Sequence, residues 1–93
     1  MQLITKQITV KGKVQGVFFR QSTLQTAREM GIKGSVQNLS DGNTVLIIAT
    51  GEKQNMEPFI EWCRQGPLHA KVNSIEILDL PLQHFERLSI IKN

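Results

Sequence analysis

The stretch ITKQITVKGKVQGVFFRQSTLQTAREMG, Ile4 to Gly31, changes its apolar period once and so sets the first half of the fold. Ile4, Ile8 and Val10, with Lys6, Thr9 and Lys11 between them, follow the alternation of a half-buried strand that ends near Gly12. Gly16 lies in the connection. From Ser22 to Met30 the period lengthens: Leu24, Ala27 and Met30 make the apolar stripe of a helix, and Gly31 is its C-cap.

Outward from this unit, Val36 begins a second strand, broken by the turn signal Asn38-Leu39-Ser40-Asp41-Gly42. Thr44 to Thr50 follows as a third strand, apolar enough for a central position. Met56, Phe59, Ile60 and Cys63 fall at i, i+3, i+4 and i+7, one face of a second helix. Asn55 as its N-cap would put Pro58 at the third helical position, where a missing N–H costs nothing, and Gly66-Pro67 stops it. Val72 to Leu80 reads as a fourth strand and Leu88 to Ile91 as a short fifth, with Pro81 between them. This order predicts an α+β fold, the ferredoxin-like split βαβ (βαββαβ) two-layer sandwich. Two helices cover one face of its antiparallel sheet, and a short fifth strand is added.

At 93 residues the chain is expected to be a single domain, 1–93, with one two-layer core. Apolar residues make up 40% and charged residues 20%, ordinary globular usage that excludes a disordered chain. No apolar run approaches the roughly 20 residues needed to cross a bilayer, and Met1 to Lys6 lacks the ordering of a signal peptide. A cytoplasmic protein is therefore expected, without a membrane partner. One cysteine, Cys63, excludes an intrachain disulfide, and with only two scattered histidines it argues against a structural zinc site. The net charge of +3 suits an anionic partner without identifying one. Its distribution is more informative: Lys6, Lys11, Lys13 and Arg20 precede the first acid, Glu29, and make the end of the first strand an electropositive mouth.

Gly12 to Arg20 joins a strand to a helix, where backbone N–H groups are left without partners and can form an anion-binding nest. Arg20 at the helix start opposes the helix dipole, a cost of about 0.3 to 1 kcal/mol that an anion bound between them would remove. Its guanidinium fork matches two phosphoryl oxygens. An ordinary glycine-containing turn with a surface arginine is the alternative reading of the same spacing.

Gly12-Lys13-Val14-Gln15-Gly16-Val17-Phe18-Phe19-Arg20 resembles the first signature of the acylphosphatase family, and Gly34-Ser35-Val36-Gln37-Asn38-Leu39-Ser40-Asp41-Gly42 resembles its second. Gly66-Pro67-Leu68-His69-Ala70-Lys71-Val72 is similar to the family's segment between second helix and fourth strand, and Leu88-Ser89-Ile90 to its closing strand. The resemblance spans essentially the whole chain. It implies an acylphosphatase, hydrolysing the carboxyl-phosphate bond of a small-molecule acyl phosphate to a carboxylate and inorganic phosphate. Water would attack without metal, cofactor or covalent intermediate. It also implies that Arg20 binds the phosphoryl group, that Asn38 orients the water, and that Gln15, Gly16, Val17, Phe18 and Phe19 line the phosphate cradle through backbone amides. Inorganic phosphate or sulfate would occupy that cradle, and a monomer is expected.

Four features depart from the family pattern, one being the short loop before the terminal strand. Ser35 stands where an aromatic residue is common, Leu88 stands where Phe is common, and the strand after Asp41-Gly42 is one residue longer before Gly51. A bulge or longer turn near Asn43 would absorb the extra residue and shift Asn38.

An acyl phosphate is a mixed anhydride with a good leaving group, so the protein need only gather charge on the phosphoryl oxygens and align a water. Asn38, a neutral amide, can position that water but not deprotonate it; the proton would pass to the phosphoryl group or the departing carboxylate. Cys63, on the apolar stripe, reads as core. His69 and His84 read as surface residues without an orienting partner, Asp41 as a turn former and Trp62 as a helix flank. Phe18 and Phe19 are expected to divide between the core and the pocket mouth.

Three other functions compete. A nucleic-acid module on this fold needs aromatic residues on its sheet, and the chain has no Tyr and no aromatic in its first and third predicted strands. An idle anion-binding protein would have no use for Asn38. Service to a larger maturation system, acting on carbamoyl phosphate, has no appended domain to support it.

Overall fold

The computed structural model describes residues 2–92. The elements are β1 (Leu3–Lys13), α1 (Phe19–Met30), β2 (Lys33–Asn38), β3 (Thr44–Glu52), α2 (Lys53–Gln65), β4 (Lys71–Leu80) and β5 (Leu88–Ile91). The five strands form one sheet in the order β4-β1-β3-β2-β5. β1 pairs antiparallel with β3 and β4, and β2 antiparallel with β3, as the split βαβ order requires. β5 pairs parallel with β2, so the sheet is antiparallel only through its first four strands.

Alternation along the strands puts Ile8 and Val10 of β1, Val45, Ile47 and Ala49 of β3 and Val36 of β2 on the face under the helices, all fully buried. Onto these pack Ala27 of α1 and Met56, Phe59, Ile60 and Cys63 of α2. At about 1.5 to 3 kcal/mol for each large apolar side chain, this layer is the main source of stability.

Helix α1 begins at Phe19, three residues before the Ser22 predicted from periodicity, with Phe18 as N-cap. It ends as expected: Gly31 takes a left-handed conformation and its N–H reaches the carbonyls of Ala27 and Arg28. Helix α2 also starts early, at Lys53, and Asn55 is not its N-cap. The Lys53 amide donates to the carbonyl of Gln2 at 2.9 Å, a long-range cap with no local signal. Pro58 therefore lies inside the helix and leaves the Gln54 carbonyl without its N–H. Gln54 and Pro58 are both exposed, so that carbonyl lies on the solvent side while the buried face holds the helix.

The bulge expected near Asn43 is absent from the β2–β3 hairpin. The register runs unbroken from Lys33↔Thr50 to Asn38↔Val45, residues 39–43 make the turn, and β3 runs to Glu52 with α2 following at Lys53. The irregularity lies instead between Lys11 and Gly12, where β1 meets β4.

The segment 81–87 carries the chain from β4 at one edge to β5 at the other, across the face away from the helices. Gln83 N–H donates to Thr5 Oγ1 at 2.9 Å and the Thr50 hydroxyl donates to the Gln83 carbonyl at 2.9 Å, while the two hydroxyls bond each other at 2.6 Å. The Gly34 amide then donates to the Arg87 carbonyl at 3.1 Å and sets β5 beside β2. Leu88 is buried opposite Gly34.

Gly34 is required for this close approach. Its φ is +145°, and a Cβ there would stand 1.7 Å from the Ile48 carbonyl oxygen. Strain and overpacking together put the cost of Gly34→Ala at about 2 to 6 kcal/mol. Urea denaturation should show a large fall in midpoint, and a loss below about 1 kcal/mol would contradict the register described for β2 and β3.

Candidate active site

β1 and β2 run in the same direction, so the loop after β1 and the turn after β2 open at the same end of the sheet. Between them is a cleft of about 320 Å³ lined by Val14, Gly16 and Phe18 of the loop, Arg20 and Gln21 of α1, and Asn38 at the end of β2. Ile90 and Lys92, on the β5 side, complete it. The two residues predicted to carry the chemistry, Arg20 and Asn38, thus meet in one site although 18 positions separate them.

Two neighbouring phenylalanines shape the loop in opposite ways. Phe19 is 2% exposed and packs its ring against Trp62 of α2, centroids 5.6 Å apart; Trp62 in turn stacks on Phe59. Phe18 is 77% exposed, lines the cleft and has φ +62°, the sole positive value for a non-glycine among the described residues. Gly16, with φ +73°, supplies the other left-handed residue of the loop. These turns direct the chain from strand to helix within five residues, from Val14 to Phe18. Among the described residues, none of the amides of Gln15, Gly16, Val17 and Phe18 donates to a backbone carbonyl. The amides of Phe19, Arg20 and Gln21 open the helix and have no intrahelical acceptor. Such a run of amides at a helix N-terminus is chemistry suited to an anion. Val17 is buried and contributes backbone only.

Arg20 is half-buried in the first turn of α1, which holds no acidic residue. Among the described residues the ion pairs are Lys6–Asp79 and Arg64–Glu61, both away from the cleft, so no carboxylate occupies the Arg20 guanidinium. Asn38 is half-buried, and its side-chain oxygen is shielded from bulk solvent.

The side chain of Gln15 has a role that its place in the loop did not suggest. Its Nε2 donates to the carbonyls of Leu39 at 2.8 Å and Thr44 at 2.9 Å. One amide therefore ties the cradle to the turn that carries Asn38. Asp41 fixes that turn from the other side, accepting from the Asn43 amide at 2.8 Å and from the Thr44 hydroxyl at 2.5 Å. This confirms it as a turn former.

Other candidates lie elsewhere. Cys63 is fully buried beneath α2, and burial pushes its thiol up to about 12, so it presents no thiolate nucleophile. His69 is exposed in the turn after α2, and His84 is exposed in the crossover at the opposite end of the sheet. No group of three or more His, Cys, Asp or Glu among the described residues is placed to hold a metal ion. No helix among them is long and apolar enough to cross a membrane.

Fold and cleft together define a two-layer α+β sandwich with a cleft at a strand–loop–helix junction. The acylphosphatase family pattern matches residues 6–90. An acylphosphatase of Pyrobaculum calidifontis is 46% identical over 77 residues, 83% of this chain and 70% of that protein. One from Marinobacter nauticus is 47% identical over 74 residues, 80% of this chain and 79% of that protein. The crystal structure of acylphosphatase from Bacillus subtilis is similar with a TM-score of 0.91 and 33% identity, covering 98% of this chain and all of that one. The chain belongs to the acylphosphatase family.

The bonds from Thr44, first, and from Asn43 hold the Asp41 carboxyl below its ordinary 3.8. A carboxyl whose folded value is lowered stabilises the fold fully above 3.8 and ceases to do so as pH falls through the lower folded value. Asp41→Asn should therefore unfold at lower urea than wild type at neutral pH, with the gap closing in acid. Urea midpoints measured from pH 7 to about 2.5 test this, and a gap that stays constant would contradict it.

Proposed function

We propose that Arg20, Asn38 and the amides of Gln15 to Phe19 carry out the family's reaction in this chain: hydrolysis of the carboxyl-phosphate bond of an acyl phosphate. The observation that carries the reading is the convergence of Arg20 and Asn38 on one cleft whose loop amides lack backbone acceptors. The amides and the guanidinium fork take the phosphoryl oxygens, where charge must be held through transfer. The Asn38 amide accepts a hydrogen bond from the water and aligns it with phosphorus; its neutral chemistry leaves the proton to the phosphoryl group or the departing carboxylate. The carboxylate leaves without an acid, and no residue of the cleft is needed as one. Gln15 and Asp41 act by position, holding loop and turn at a fixed separation.

The same reading takes residues 1–93 as one domain and a cytoplasmic monomer as the working form, with inorganic phosphate or sulfate competing for the cradle. Phe18, exposed at the cleft edge, is where the acyl group would rest.

Benzoyl phosphate should be hydrolysed in the presence of chelator while an ordinary phosphomonoester is not. Arg20→Ala and Asn38→Ala, each shown to be folded, should lose about two to three powers of ten in kcat/KM, as expected for one transition-state donor. Turnover that survives both substitutions, or that requires added metal, would overturn the assignment.

A further inference from the structure

The cleft contains one cation more than the phosphoryl group requires. Arg20 sits beside the loop amides and Lys92 lines the side toward β5; among the described residues the rest of the lining, Val14, Gly16, Phe18, Phe19, Gln21, Asn38 and Ile90, carries no carboxylate side chain. Topology explains how Lys92 arrives. β5 pairs parallel with β2 in the register Gly34↔Leu88, Ser35↔Ser89, Val36↔Ile90 and Gln37↔Ile91. The next step along both strands brings Lys92 beside Asn38. Leu88 is buried and Ile90 lines the cleft while Ile91 is exposed, so the same alternation turns Lys92 to the helix side. An antiparallel β5 would have brought Leu88 to this end of the sheet instead. The crossover through Thr5, Thr50 and Gln83 thus delivers a positive charge to the side of the cleft facing away from the cradle.

Two like charges lining one cleft repel, and a ligand bearing two negative groups relieves both. With the phosphoryl group on the loop amides and Arg20, the acyl group extends toward Phe18 and the β5 side. Resting on the hydrolase reading above, we propose that Lys92 recognises a second negative charge on the acyl part of the substrate. The preferred substrates are then acyl phosphates whose acyl group itself carries a carboxylate or a phosphate.

The test compares kcat/KM for 4-carboxybenzoyl phosphate and 4-methylbenzoyl phosphate, which match in shape and differ in that charge. In wild type the carboxylate substrate should be preferred once their uncatalysed rates are subtracted, and the preference should shrink as salt is raised. Lys92→Met should lower the ratio by about twofold to fivefold, the scale of an exposed ion pair, and abolish its salt dependence. Lys92→Arg should restore the ratio and Lys92→Glu should invert it. A ratio unmoved by Lys92→Met, or equal losses for both substrates, would overturn the proposal while leaving the hydrolase reading intact. A wild type that hydrolyses neither acyl phosphate removes both.

Discussion

Burial of the Phe19 ring decides where α1 begins, and the site follows from that position. The ring is held between the helices against Trp62, and a Cβ on Gly66 would stand only 2.6 Å from it. Once Phe19 is the first helical residue, Phe18 must turn the chain in the left-handed region, a conformation that costs a non-glycine residue about 1 to 3 kcal/mol. Burying a phenylalanine contributes about 1.5 to 3 kcal/mol, enough to offset that strain without help from the local sequence. The consequence is a helix with Arg20 in its first turn and a loop whose amides are not consumed by the sheet.

Positive potential gathers at this end of the molecule, which suits the anion proposed for the cleft. The α1 N-terminus, Arg20 and Lys92 all present positive potential, and the first turn has no acid to neutralise it. Stability sacrificed here is regained in the sheet and under α2, where the fully buried side chains lie. The turn holding Asn38 is kept rigid by polar contacts instead: two bonds from Gln15, two to Asp41 and one between the Leu39 amide and the Thr44 carbonyl at 2.9 Å. Such a site is positioned before the substrate arrives, as chemistry without an acid or base requires.

The periodicities of Ile4–Val10, Thr44–Thr50 and Met56–Cys63 were sufficient to read the strands and helices, because each of those segments buries one face against the same core. Arg20 and Asn38 were legible as candidates because Arg20 ends, and Asn38 stands at the middle of, a short glycine-punctuated segment that resembles a family signature. Positions set by distant contacts were not legible. The early start of α1 depends on Trp62, and that of α2 on the Gln2 carbonyl. The parallel docking of β5 depends on threonine hydroxyls on the open face of the sheet, so nothing near Lys92 announces that it reaches the cleft. The structural use of the Gln15 side chain was hidden for the same reason, since its acceptors lie 24 and 29 residues away.

In the proposed reaction the cradle holds phosphorus for attack by the water at Asn38. A single turnover of benzoyl phosphate in ¹⁸O-water, with both products analysed by mass, tests it most directly. The account predicts the label in inorganic phosphate and none in benzoate. Label in benzoate would mean attack at the acyl carbon, and would leave Arg20 and the loop holding only a departing phosphate.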